Sequence, residues 1–207
     1  MILGYTAVIA GFLGFLWLVT GVRKISAVSC GTLIGKQQQN EALLLIDLQT
    51  VFWDHGPYSE PARQSAKAAI LRAVETAKAQ GHPVIAVRLE WSIPSTKAVA
   101  RLAMKGQALA GSAGTEIAQP FAGLADEVLT KRVQDAFETG ELDALLTKRG
   151  VGKLRIVGLD LNYCVLKTAL AARNRGYETV VVKDATLYAA PIDRAEKQMN
   201  ETGVVLA

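Results

Sequence analysis

Three side chains of unlike chemistry stand at or shortly after the ends of segments that read as strands. Asp47 follows Ala42-Leu43-Leu44-Leu45-Ile46, Lys131 follows Glu127-Val128-Leu129-Thr130, and Cys164 comes shortly after Leu154-Arg155-Ile156-Val157-Gly158. A thiol, an ammonium and a carboxylate held together can carry out nucleophilic catalysis. The thiolate is the nucleophilic form of cysteine, and the first turn of a helix favours it, because unpaired N–H groups and the helix dipole stabilise negative charge. A neighbouring lysine acts in the same sense, and an aspartate can take the thiol's proton and return it. Such a thiolate attacks an electrophilic carbonyl or nitrile to give a thioacyl intermediate that water resolves. Nearby backbone N–H groups bind the oxyanion as it develops. Singly, each residue has an ordinary structural reading: a small buried hydrophobe for Cys164, a snorkelling strand-end cation for Lys131, a helix N-cap for Asp47. Their shared position at strand ends is what favours the chemical reading.

The elements that must position them alternate between strand and helix. Ala42–Ile46 is a continuous apolar run, as expected of a central parallel strand buried on both faces. Pro61–Gln80 carries apolar residues at helical spacing, and Pro83–Leu89 reads as the next strand. From Glu90 to Gly123 the pattern breaks into loops around a short helix over Thr96–Lys105, as walls of a substrate pocket often do. Glu127–Thr130 is a third strand, Glu138–Arg149 a helix, and Leu154–Gly158 a fourth strand. Val165, Thr168, Ala169 and Ala172 then keep helical spacing up to Gly176. Tyr177–Lys183, a helix over Pro191–Glu201 and a terminal Gly203–Leu206 strand complete the order. Alternation of this kind predicts a parallel sheet with helices on both faces, and in such sheets sites lie beyond the carboxyl ends of the strands.

The front end differs. Ile2–Val22 holds no charged residue and, as a helix, would span roughly 30 Å, the thickness of a bilayer's hydrocarbon core. Arg23 and Lys24 follow the run, the wrong order for a cleaved signal peptide. The expectation is an uncleaved transmembrane anchor over residues 1–24, a linker over 25–40, and a globular domain over 41–207. The positive-inside rule then makes the chain a single-pass protein of the cell membrane with its domain in the cytoplasm and the lipid bilayer as a partner. The 207 residues carry a formal charge of +4. Of this, +3 falls in residues 1–40, so the rest is near neutral and nucleic-acid binding has no electrostatic support. Cys30 and Cys164 are too far apart in role to suggest a disulfide framework.

At three places these residues resemble one family, the isochorismatase-like cysteine hydrolases. Asp47-Leu48-Gln49-Thr50-Val51-Phe52 is similar to its D-x-Q-x-x-F opening, and Lys131 through Asp135-Ala136-Phe137 to its K-x-x-x-S-A-F stretch. Gly158 through Cys164-Val165 with Thr168-Ala169 resembles its G-x-x-T-x-x-C-V-x-x-T-A signature. The resemblance implies a three-layer α/β sandwich around a six-stranded, mostly parallel sheet, here preceded by the membrane helix. It implies Asp47 as general base, Lys131 as thiolate stabiliser and Cys164 as nucleophile. It further implies a cis peptide at Leu159–Asp160 and an oxyanion hole from the turn Leu159, Asp160, Leu161 and Cys164. Phe52, Trp91 and Tyr163 are candidates to line the pocket. The implied reaction is hydrolysis of a C–N bond in a small amide or carbamoyl compound, often by an oligomer.

Two positions depart from the pattern: Asp135 stands where the family has serine, and Leu161 where it has threonine. Arg88-Leu89-Glu90-Trp91-Ser92 lacks the Asp-x-His of metal-dependent relatives, and the only histidines are His55 and His82. No metal and no other cofactor is expected. Isochorismate-type vinyl ether hydrolysis and a catalytically silent, membrane-tethered interaction module are the competing readings. The first has less need of a cysteine.

Overall fold

The computed structural model describes residues 2–35 and 37–207, with side chains from residue 11 onward apart from Lys36. Its order is α1 (Ile2–Ser26), β1 (Asn40–Ile46), α2 (Thr50–Trp53), α3 (Glu60–Ala79), β2 (Val84–Leu89), α4 (Pro94–Ala103) and β3 (Glu127–Lys131). Then come α5 (Glu141–Lys148), β4 (Val151–Gly158), a π-helical turn (Leu161–Val165), α6 (Leu166–Asn174), β5 (Glu178–Thr186), α7 (Asp193–Thr202) and β6 (Val205–Leu206).

All six strands join one sheet in the order β3-β2-β1-β4-β5-β6, every pairing parallel. Side chains alternate across it, and each face buries its own core. Leu43, Leu45, Val84, Ala86 and Val157 face Ala66, Ile70 and Val74 of α3. Leu44, Ile46, Ile85, Val87, Leu154 and Ile156 face the opposite layer, where α5, α6 and α7 contribute Leu142, Leu146, Ala169, Ala172 and Met199. The continuous apolar runs of β1 and β2 are thus what a strand covered on both sides requires. The result is three layers, and the strand order reverses between β1 and β4, which leaves a crevice at their carboxyl ends. At that crevice Gly158, with φ +119°, lets β4 leave the sheet against the backbone of Ile46, where any Cβ would collide with the Ile46 carbonyl.

The helices match their sequence patterns except at their ends. Ser59 Oγ caps α3 by accepting from Ala62 N at 3.4 Å. α5 starts three residues later than the pattern suggests, because Gly140 takes φ +80° immediately before it. The segment after β4 makes a π-helical turn before α6 begins, so Cys164 lies in that turn and not in the first turn of a regular helix.

The membrane expectation is overturned. Among the described residues no helix is long and apolar enough to cross a membrane. The anchor over 1–24 goes with it, as do the bilayer as partner and the single-pass cell-membrane placement; the side chains of residues 1–10 lie outside those described. The carboxyl-terminal end of α1, from Leu18 to Ile25, has one side against the domain. Ile25 is buried and Leu18 packs on the core beside it. Gly21 lies so close to α4 that a Cβ there would come within 2.6 Å of Ser95 O. Ile25 O accepts from Gln134 N at 3.1 Å, which ties the end of α1 to the loop after β3. Phe12, Leu13, Phe15, Leu16, Trp17 and Val22 remain exposed. Hydropathy registers how apolar a run is but not what covers it.

Residues 27–35 continue along the domain outside any helix or strand. Ser29 N donates to Asp135 Oδ2 at 2.7 Å and Ile34 N to Arg175 O at 2.8 Å, while Arg175 Nη1 donates back to Ser29 O at 3.2 Å. Arg175 is held in turn by Asp143, with Nε–Oδ1 at 2.7 Å, and lies over the ring of Phe137.

Candidate active site

The carboxyl ends of β1 and β3 bring Asp47 and Lys131 into direct contact. Lys131 Nζ donates to Asp47 Oδ2 at 3.0 Å and to Gln134 O at 3.2 Å. Both side chains are out of water, at 0% and 2% exposure. Asp47 adopts φ +53°, a left-handed conformation that aspartate tolerates better than most residues and that turns the chain sharply where β1 ends. Its other oxygen, Oδ1, is buried and accepts no hydrogen bond. An unsatisfied buried carboxylate oxygen calls for a reason, and proton transfer is one.

Cys164 is buried in the turn after β4 and lines the same cavity as Asp47. The cavity measures about 450 Å³, the size of a small-molecule site. Phe52, Trp91 and Tyr163 all line it, together with Tyr58, Leu89, Met104, Gln107 and Gln134. Lys131 itself lies behind Asp47 and Gln134, outside the set of wall residues. The peptide between Leu159 and Asp160, the one singled out by the family resemblance, is cis. Of the four residues expected to form the oxyanion hole, two have committed N–H groups. Leu159 N donates to Ile46 O at 3.0 Å and Leu161 N to Leu187 O at 2.9 Å. Among the described residues no group of three or more His, Cys, Asp or Glu side chains is gathered to hold a metal ion.

The electrostatics correct one expectation. Cys164 is not an acidified thiol: burial raises its pKa above the ordinary value, the Asp47 carboxylate raises it further, and Lys131 only partly opposes them. The lysine's charge is already matched by Asp47. Burial likewise raises Asp47, against the pull of Lys131 and the thiol. Burial would depress Lys131, but the charges and hydrogen bonds of Asp47 and Cys164 outweigh it and hold the ammonium above its usual value. Burial and Asp47 thus both favour the thiol form of Cys164, while Asp47 and Cys164 hold Lys131 as an ammonium.

Several residues that position this site escaped the sequence reading. Gln49 is wholly buried and clamps the end of β2: Leu89 N donates to its Oε1 at 2.6 Å, while its Nε2 donates to Leu89 O at 3.0 Å and Thr115 O at 2.9 Å. Its place in the D-x-Q stretch was the available signal. Tyr58 donates to Asp160 Oδ2 at 3.2 Å, an oxygen that also accepts from Ala189 N at 3.0 Å, while Asp160 Oδ1 accepts from Asn162 N at 2.8 Å. The Asp160 side chain therefore braces the cysteine turn. Nothing in the loop around Tyr58 marks that role. Thr168 Oγ1 accepts from Ala136 N at 3.2 Å and fixes the 134–137 turn, whose Gln134 carbonyl holds Lys131. Asp135, the departure from the family's serine, turns away from the chemistry: its oxygens accept from Phe137 N at 2.8 Å and from Ser29 N.

Comparison with known proteins gives a consistent answer. A family model described as the isochorismatase domain matches residues 41–202. An uncharacterized isochorismatase family protein of Bacillus subtilis, YrdC, is 27% identical over 151 residues, covering 72% of this chain and 74% of its own. Among solved structures, N-carbamoylsarcosine amidase from Thermoplasma acidophilum superposes with a TM-score of 0.69 at 26% identity, covering 81% of this chain and 95% of that one. An isochorismatase family protein from Desulfovibrio vulgaris gives 0.70 at 28% identity, covering 81% and 93%.

Proposed function

This chain belongs to the isochorismatase family, and on that premise we propose that it is a cysteine hydrolase that cleaves a C–N bond of a small amide or carbamoyl compound. The observation that carries the reading is the unsatisfied Oδ1 of Asp47, buried in one cavity with Cys164 while Oδ2 is tied to Lys131. Amidases among the structural relatives support the reaction class. Vinyl ether hydrolysis would leave this thiol without a task.

In the proposed cycle the carbonyl carbon settles beside Cys164. The thiol passes its proton to Asp47 Oδ1 as Sγ bonds to that carbon, so no free thiolate need accumulate in the resting enzyme. Lys131 stays protonated throughout and, as Asp47 loses its negative charge, stabilises the charge now on sulfur and oxygen. With Leu159 and Leu161 N–H committed to Ile46 and Leu187, the oxyanion donors fall to Asp160 and Cys164. Asp47 then gives its proton to the leaving nitrogen, the C–N bond breaks, and ammonia or an amine departs. Water attacks the thioacyl carbon, Asp47 receives its proton, the C–S bond breaks, and the thiol recovers the proton as the acid leaves. The walls of Phe52, Leu89, Trp91 and Met104 suit an uncharged acyl group.

The test is a screen of small amides and carbamoyl compounds for ammonia release, run with the wild type and Cys164→Ala. Turnover is expected only in the wild type, with the variant still cooperatively folded. Turnover retained by the pure folded variant would remove Cys164 as nucleophile.

A further inference from the structure

The turn over residues 134–137 sets where the Lys131 ammonium stands, because Lys131 Nζ donates to Gln134 O at 3.2 Å as well as to Asp47. Part of what holds this turn comes from chain that precedes the family domain, which begins at residue 41. Gln134 N donates to Ile25 O at 3.1 Å, and Ser29 N donates to Asp135 Oδ2 at 2.7 Å. Thr168 of α6 supplies a further hold, its Oγ1 accepting from Ala136 N at 3.2 Å. Asp135 is wholly buried, and its other oxygen accepts from Phe137 N at 2.8 Å. A buried carboxylate is costly unless its oxygens are satisfied. Here one oxygen serves the turn and the other serves the incoming chain. The serine that the family carries at this place would offer a single oxygen.

That incoming chain is itself fixed to the domain. Ile25 is buried, Ser29 O accepts from Asn174 Nδ2 and Arg175 Nη1, each at 3.2 Å, and Ile34 N donates to Arg175 O at 2.8 Å. Gly31 lies so close to the Arg175 guanidinium that no Cβ would fit between them. None of residues 25–35 lines the reaction cavity, so this segment meets the site only through the turn.

We propose that Ile25 and Ser29 form a strap that positions Lys131 for the chemistry at Cys164, and that Asp135 is the positioning residue through which the strap acts. Its part in turnover rests on the hydrolase reading above. A lysine ammonium is a point charge on a flexible stem, and Asp47 alone would leave it free to swing about the carboxylate. The Gln134 carbonyl fixes a second direction and keeps the ammonium where it also reaches the Cys164 sulfur. With the strap loosened the turn carries that carbonyl away, and the sulfur loses its counter-charge as it attacks.

The experiment compares the full-length wild type with two variants. Ser29→Pro deletes the donated N–H, and Asp135→Ser keeps an oxygen for Phe137 N while losing the one that Ser29 N needs. Both should unfold cooperatively in urea. For an amide found in the screen, kcat should fall about tenfold at unchanged KM, the effect of about one hydrogen bond to a charged group. Iodoacetamide alkylation of Cys164 at neutral pH should slow by about threefold or more. Its sign is the discriminating readout. A turn that merely loosens exposes the buried thiol and speeds alkylation, whereas a displaced Lys131 lowers the thiolate fraction and slows it. Wild-type kcat in either folded variant, or alkylation as fast as in the wild type or faster, overturns the strap. Slower alkylation in a protein that turns over no amide removes the hydrolase reading and leaves the strap standing. Should Asp135→Ser fail to fold, Ser29→Pro decides alone, since it leaves every residue of the turn in place.

Discussion

Replacing Lys131 with methionine leaves the Asp47 carboxylate buried without its counter-charge, and the structure sets the size of the effect. The pair is in direct contact at 3.0 Å and out of water. At an effective dielectric of about 20 their attraction is roughly 5 to 6 kcal/mol, and removing one partner of a buried pair typically costs about 3–5 kcal/mol. Asp47 has an escape, which is to take up a proton. From an unfolded-state pKa of about 3.9, keeping it neutral at pH 7 costs close to 4 kcal/mol, and that figure caps the loss. The sign follows from linkage. In the variant the folded state holds a proton that the unfolded state has released, so stability relative to wild type recovers as pH falls. The slope is about 1.4 kcal/mol per pH unit, and the deficit should be nearly gone close to pH 4. Urea unfolding at several pH values between 5 and 7.5 measures this directly. The double variant Lys131→Met, Asp47→Asn, which buries no charge, should lack the slope and recover much of the stability. A Lys131→Met deficit below about 1 kcal/mol, or one that does not change with pH, would refute the picture of a buried, mutually dependent pair.

Three further outcomes follow from the structure. Asp47→Asn removes the carboxylate that raises the Cys164 pKa and frees the charge of Lys131, so the thiol should become more acidic by about one to three units. Its alkylation at pH 7 should then accelerate about tenfold or more while amide turnover is lost; slower alkylation would show that Asp47 does not raise the thiol. In the wild type, alkylation should climb with pH and show no plateau below the ordinary thiol range. Asp135→Ala takes away the acceptor for Ser29 N and should cost about 2 kcal/mol, loosening the 27–35 segment. Limited proteolysis between α1 and β1 should quicken, and an unchanged cleavage rate would mean that Asp135 does not hold that segment.

What the sequence made legible divides along physical lines. Strands buried on both faces have to be apolar throughout, so β1 and β2 could be read directly from Ala42–Ile46 and Val84–Val87, while β4, with Lys153 and Arg155 exposed, was legible only over Leu154–Gly158. Strand order could not be read, because it depends on crossovers and not on composition. Asp47, Lys131 and Cys164 stood out because chemistry restricts residue type at strand ends. Tyr58 did not, since a phenol that braces a backbone looks like any other polar residue in a loop, and Gln49 was marked only by its place in the D-x-Q stretch. The thiol's electrostatics were legible only in part. The helix terminus and Lys131 were visible in the sequence, whereas the depth of burial and the contact that neutralises Lys131 arise only in the folded chain. The apolar run at the front was read as a membrane span for a related reason: Gly21 and Ile25 acquire their meaning from α4 and the loop at Gln134.

The central claim is a covalent step at Cys164 served by Asp47, and the most direct measurement is the mass of the Cys164 peptide from enzyme acid-quenched during turnover of an amide found in the screen. The account predicts a fraction of that peptide heavier by the acyl group, meaning the substrate less its departing amine, and no such species in Asp47→Asn. A Cys164 peptide that stays unmodified while the acyl group is found on another residue would contradict it.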